Sequence, residues 1–287
     1  MEQTSISHFV RLFVDELAKD GKSQYTTIAY KKDLEQFDDY LRSLRKEGVS
    51  SIEKSDIENF IQSLIQEKAY TKKSASRKLN SIRTFFRFLK SKSAISINVA
   101  GEISHPKYEQ VPPRILTKLE YRGLRDASKN DPRTYSIIEL LLQTGMKIGE
   151  LSNLRLEDVQ DGAITIRVSG KNISRTIPLN KASETSLKDY IKARPPFPDT
   201  HIFITRTGRP MLIRNIRQIV HRCFLDVGIQ NATVNDLRNT FIAHQLTNGA
   251  SLEYIAKIVG HRRLSSTERF LNLIKTEAEK RERLGEL

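Results

Sequence analysis

The amino-acid sequence predicts a mainly α-helical fold with one small β-hairpin, divided into two domains. Three observations predict it. Apolar residues recur at helical spacing along most of the chain. The stretch 104–116 holds Pro106, Pro112 and Pro113. Proline removes a backbone donor and restricts the residue before it, so no helix runs through there. Between 163 and 179 the apolar residues alternate with polar ones, which is the period of a strand. A length of 287 residues suffices for two domains, and 38% hydrophobic residues is a globular proportion rather than a disordered one. The expected layout is a helical domain over 1–103, a linker over 104–116 and a second domain over 117–287.

Charge narrows the partners. Lysine and arginine number 48 against 34 acids, a formal charge of +14. Such an excess favours a polyanion, and nucleic acid is the commonest. A membrane is not expected: no apolar run approaches the roughly 20 residues that span a bilayer, and Trp, the usual interfacial anchor, is absent. Glu2, Asp15 and Glu16 near the start do not fit a signal peptide. The single cysteine, Cys223, permits no intramolecular disulfide and fits a reducing compartment. His8, His105, His201, His221 and His244 lack metal-ligand spacing, and no glycine loop of the P-loop type occurs. No metal or cofactor is expected.

The elements follow in order. A helix over 6–17 carries Phe9, Val10, Leu12 and Phe13 and stops at Gly21. Thr26 or Thr27 caps a second, reaching about Arg45 with Ile28, Leu34, Phe37 and Leu41 on its apolar stripe. Ser55 caps a third over 56–67. The fourth, over 72–91, is the most informative. Its apolar positions are Ala75, Leu79, Ile82, Phe85, Phe86 and Leu89. Its basic ones are Lys72, Lys73, Arg77, Lys78, Arg83, Arg87 and Lys90, and no acid occurs from Lys68 to Lys92. Solvated faces usually mix signs, so a wholly cationic face points to a phosphate backbone. After the linker, Thr117 caps a helix over 118–128, and another covers 134–144. A turn and short helix fill 145–158. The hairpin pairs 163–168 with 173–179 around a basic tip at Lys171. Helices over 181–193, 213–227, 237–247, 252–259 and from 267 onward complete the chain.

Several stretches together resemble the tyrosine recombinase (phage integrase) family. Thr144-Gly145-Met146-Lys147-Ile148-Gly149-Glu150-Leu151 is similar to its first arginine box. Gly170-Lys171 leading to Arg175-Thr176-Ile177-Pro178-Leu179 is similar to its lysine-bearing hairpin. Asn235-Asp236-Leu237-Arg238 is similar to its His-x-x-Arg box, and Val259-Gly260-His261 with Ser265 to Phe270 is similar to its Gly-His box and nucleophile segment. The resemblance covers nearly the whole chain. It implies a two-domain clamp on double-stranded DNA, with a helical core-binding domain and a catalytic-type domain. It also implies phosphoryl transfer through a tyrosine that makes a 3′-phosphotyrosyl link. Arginine forks hold the phosphate, the hairpin lysine protonates the leaving oxygen, and no metal takes part. A bacterial cytoplasm or nucleoid is the implied location.

Three positions depart from that pattern. Lys147 stands at the first arginine position, keeping the charge but losing the bidentate fork. Asn235 stands at the histidine position and cannot shuttle a proton. Phe270 stands at the nucleophile position and has no oxygen. Lys171, Arg238 and His261 match. The resulting expectation is a DNA-binding protein without recombination activity, not an enzyme, acting as a transcriptional repressor of a phage or mobile element. Two alternatives stand beside it: an active recombinase carrying a Tyr-to-Phe change at 270, and an accessory factor in integration or excision. The resemblance also suggests that the tail, 271–287, docks on a second copy. A phage-encoded regulator is a further conceivable partner.

Overall fold

The computed structural model describes residues 5–109, 111–167 and 174–282, with side chains as far as 274. The chain divides into two compact units, Met1–Gln110 and Val111–Leu287, each with its own hydrophobic cluster.

Among the described residues, the first unit holds four α-helices, α1 (Ile6–Lys19), α2 (Gln24–Ser43), α3 (Lys54–Gln66) and α4 (Lys72–Ser91), and a short 3-10 helix, Val49–Ser51. Their ends follow capping chemistry. Ser5, Ser23 and Thr71 each accept from a backbone N–H three residues on. Ser23, not Thr26 or Thr27, therefore starts α2, because its extended backbone turns its hydroxyl onto the N–H of Thr26. Likewise α3 starts at Lys54 and not after Ser55: the Asp56 carboxylate accepts from the Glu53 N–H in a reciprocal box. The apolar stripe of α4 is buried as its spacing requires, with Leu79, Ile82, Phe85 and Leu89 fully enclosed. Phe13 of α1 meets Phe85 and Phe88 of α4 at centroid distances of 5.6 and 5.3 Å, and Phe37 meets Phe60 at 5.1 Å.

The second unit holds α5 (Lys118–Ser128), α6 (Pro132–Thr144), α7 (Ile148–Ser152), α8 (Lys181–Ala193), α9 (Ile213–Asp226), α10 (Val234–Thr247), α11 (Leu252–Val259) and α12 (Ser265–Glu282). Its core is built on α6, whose Ile137, Ile138, Leu140 and Leu141 are enclosed. Asp131 caps α6, with Pro132 at the first helical position, where its missing N–H costs nothing. The hairpin belongs to a three-stranded antiparallel sheet: β1 (Val159–Gln160), β2 (Ala163–Ile166) and β3 (Arg175–Pro178). β1 is not among the expected strands. Asp161 and Gly162 both have positive φ, 49° and 70°, so Gln160 pairs directly with Ala163 across a two-residue turn. Ile164 opposes Ile177 on the buried face. The expected basic tip with Lys171 lies outside the described residues.

One buried charge organises the first unit. Asp33 of α2 is 2% exposed. It accepts from both Arg77 terminal nitrogens (one at 2.7 Å), from Lys78 Nζ at 2.9 Å and from the Ser81 hydroxyl at 2.8 Å. Burial alone pushes its carboxyl up, but these hydrogen bonds outweigh burial and hold it below the usual range. Asp33→Ala leaves Lys78 buried without its counter-ion, so chemical denaturation should show a loss of about 3 kcal/mol or more. A depressed carboxyl contributes stability above its unfolded value, near pH 4, and loses it as pH falls through the folded value. The variant should therefore show a flatter acid limb than the unaltered protein. An Asp33→Ala loss below about 0.5 kcal/mol would refute the role.

Candidate nucleic-acid interface

In the second unit, five segments converge: the α6–α7 turn, α7, β3, the first turns of α10 and the α11–α12 turn. Gly145 ends α6 in the left-handed region at φ 61°, and a Cβ there would lie 2.4 Å from the Phe241 ring of α10. Only glycine allows this turn so close to α10. The turn aims the Gly145 carbonyl at Arg238. Arg238 is 6% exposed and donates through Nη1 to Gly145 O at 2.6 Å and through Nη2 to Val259 O at 2.7 Å. One guanidinium thus ties the end of α6 to the end of α11.

Lys147 precedes α7, and its N–H donates to Glu150 Oε2 at 2.8 Å. Its own ammonium is half exposed, 3.9 Å from Glu150 Oε1. Glu150 takes a bidentate pair from Arg175 of β3, at 2.9 and 2.7 Å, while Arg175 Nε donates to Ile258 O at 2.7 Å. His261 follows α11, and its Nδ1 is 2.8 Å from the Thr267 hydroxyl of α12.

The site carries far more positive than negative charge. Burial, then the charges of Arg238, Arg269, Lys147 and Arg175, push His261 down to about 4, so its imidazole is neutral near pH 7. Burial is also the main cause that brings Arg238 down to about 10 and Lys147 below its ordinary value. Glu150 is the carboxylate at the centre: burial raises it, but the Arg175 hydrogen bond outweighs burial and holds it low. Cations whose charges oppose one another around Glu150 favour an added anion.

The sequence-predicted residues fare differently. Lys147, Arg238 and His261 share one electrostatic neighbourhood. Asn235 is exposed at the start of α10. Phe270 is fully buried, an unsubstituted ring in the core under α12. Lys171 lies outside the described residues. In the first unit, Lys72, Lys73, Arg77 and Arg87 are exposed and Arg83 is half-buried, its terminal nitrogens donating to Gly101 O at 2.6 Å and meeting His105 Nε2 at 3.0 Å. Lys78 is 6% exposed, so it is not on the cationic face. The reason is Asp33, an acid brought from α2 that the acid-free run of α4 could not reveal.

Sequence reasoning misses a second cationic helix. On α9, Arg214, Arg217, Gln218, His221 and Arg222 are exposed, while Ile216, Val220, Cys223 and Phe224 are buried. The signal is present: no acid occurs from 200 to 225, and the arginines recur at helical spacing. Among the described residues, no cluster of metal-ligating side chains is present, and no helix is long and apolar enough to cross a membrane.

Comparison with known proteins places this geometry. Residues 111–277 match the phage integrase family, and 10–93 match the phage integrase N-terminal SAM-like domain. The chain is 31% identical over 281 residues to tyrosine recombinase XerC of Thermodesulfovibrio yellowstonii, covering 92% of this chain and 91% of that protein. It is 29% identical over 290 residues to the XerC of Bacillus subtilis, covering 94% and 93%. Among solved structures, it superimposes on a lambda integrase dimer bound to a COC′ core site with a TM-score of 0.77, at 18% identity, covering 91% of this chain and 97% of that one. It also superimposes on the Tn1549 transposon integrase in complex with a circular intermediate DNA, with a TM-score of 0.76 at 18% identity, covering 96% and 99%. These structural matches establish the fold: a SAM-like N-terminal domain and an integrase-type C-terminal domain.

One expectation is corrected here. The departures at Lys147, Asn235 and Phe270 lead to the expectation that the chain is not an enzyme. The curated relatives, near 30% identity over nine-tenths of the chain, are tyrosine recombinases, and recombinases are enzymes. The motif departures alone therefore do not make this chain a non-enzyme.

The geometry around Arg238 predicts a clear failure. Gly145→Ala forces a Cβ into the Phe241 ring at positive φ, so the second unit should lose about 2 kcal/mol or more. Gly162→Ala, also at positive φ but with open space around it, should cost less. Equal losses in thermal unfolding would show that the approach of Phe241 does not matter.

Proposed function

Because this chain belongs to the phage integrase family of tyrosine recombinases, we propose that it binds double-stranded DNA at defined sites and works in site-specific recombination. One backbone phosphate is seated among Lys147, Arg238 and His261. The observation that carries the reading is the buried Arg238, fixed by two carbonyls in a pocket where cations crowd around Glu150. A planar guanidinium held in place matches a phosphate without reorganising. Lys171 of the hairpin belongs to the same reading by its place in the motif. The exposed cations Lys72, Lys73 and Arg87 of α4, and Arg214, Arg217 and Arg222 of α9, track the duplex backbone. The lambda integrase structure is a dimer on its core site, and more than one copy of this chain is proposed to assemble on DNA, with the tail after 271 as the contact.

A specific observation favours a second, finer reading. Phe270 has no oxygen with which to attack a phosphate, so strand exchange by this chain needs an oxygen from another group. Occupancy of a promoter site regulates transcription with no exchange at all, as a repressor of a phage or mobile element does.

A map of bound sites in the native host separates the two readings. A paired site at the end of an integrated element supports recombination, and many related promoter sites support regulation. Purified protein should bind such a site at nanomolar concentration, weakening steeply with salt. Lys72→Glu with Lys73→Glu should lower affinity for all sequences alike and reduce the salt slope by about 1 for each phosphate no longer neutralised. Binding that ignores sequence would overturn both readings.

A further inference from the structure

The first turn of α12 is pinned to the pocket. Thr267 is fully buried, and its hydroxyl meets His261 at 2.8 Å. Phe270, one turn on, is buried in the core. Between them Arg269 is exposed, and its guanidinium carbon stands 5.1 Å from the centroid of the Phe270 ring. No carboxylate among the described side chains pairs with it. Its charge nevertheless bears on both Arg238 and His261, so its guanidinium belongs to the same field as the pocket.

The chemistry of the pocket leaves a place for such a group. Lys147 is a point donor, without the fork that matches two phosphate oxygens. Each terminal nitrogen of Arg238 already gives one N–H to a carbonyl, so one on each is left for a phosphate. Arg175 is committed to Glu150 and Ile258. A guanidinium resting on an aromatic face keeps its N–H edge free for an anion, and the ring limits its swing.

We propose that Arg269 is a further phosphate-contacting residue of this pocket, presenting a guanidinium fork to the anion from the platform of the Phe270 ring. The inference rests on reading the pocket as a phosphate site and names a contact within it. Nothing in the sequence singles out Arg269. The residue enters only because α12 carries it alongside His261.

The test uses the full chain without DNA and inorganic sulfate as a tetrahedral dianion. The His261 ring resonances are followed by NMR during sulfate addition. For the unaltered protein, sulfate should shift them saturably. Arg269→Gln should weaken sulfate binding about tenfold, the loss of one charge-assisted hydrogen bond. Arg269→Lys should fall between, and Arg206→Gln, an exposed change outside the five converging segments, should match the unaltered protein. An unchanged thermal unfolding curve confirms that Arg269→Gln still folds. Equal sulfate affinity in Arg269→Gln and the unaltered protein overturns this inference and leaves the pocket standing. No saturable shift in the unaltered protein overturns the phosphate reading itself, and this inference falls with it.

Discussion

The two hydrogen bonds from Arg238 to Gly145 O and Val259 O join helices far apart in sequence. A buried guanidinium is costly unless its donors are satisfied, and here backbone carbonyls at helix ends satisfy them. Those carbonyls lack partners within their own helices, so one side chain meets the needs of two termini. The consequence spreads outward. Gly145 sets where Lys147 begins α7, and α7 sets where Glu150 receives Arg175. Val259 sets where His261 leaves α11 and meets α12. The pocket is thus a by-product of helix ends brought together around one cation.

The first unit applies the opposite sign to the same problem. Asp33 is a buried anion that gathers Arg77, Lys78 and Ser81. Its effect on α4 is to divide the basic residues into two sets. Lys78 faces inward as structure, while Lys72, Lys73 and Arg87 face outward. A helix with no acid of its own therefore presents fewer outward cations than its composition suggests.

Much of this is legible in the sequence. Helix periodicity locates α4, whose apolar residues recur at helical spacing, and the run of Ile and Leu locates α6. Alternation locates β2 and β3, and the ordered motifs locate Lys147, Arg238 and His261. What is not legible depends on partners distant in the chain. Asp33 reads as one acid among many on α2, and nothing local announces that α4 will enclose it. Strand β1 is two residues long, too short for any periodicity, though Asp161-Gly162 is the usual pair for a tight hairpin turn. The start of α2 is displaced from its expected place, because Ser23, Thr26 and Thr27 are all competent caps and only the backbone chooses between them. The arginines of α9 carry a signal as plain as that of α4, yet periodicity alone reports them only as part of a helix. Function errs the other way: the motif departures at three side chains outweigh, on paper, the agreement of two whole domains that overrules them.

The contrast in exposure between Arg238 and its neighbours bears on how such sequences change over time. Arg238 is enclosed and holds the chain together, so its loss is punished at the level of folding whatever the protein does. Asn235 and Lys147 are open to solvent, and a substitution there meets little resistance from packing. A substitution at 147 or 235 therefore costs less in folding than one at 238. An arginine at 238 testifies to an intact architecture, while the identities at 147 and 235 testify to the demands of chemistry. Among relatives of this chain, the two kinds of position should be weighed separately when activity is inferred from sequence.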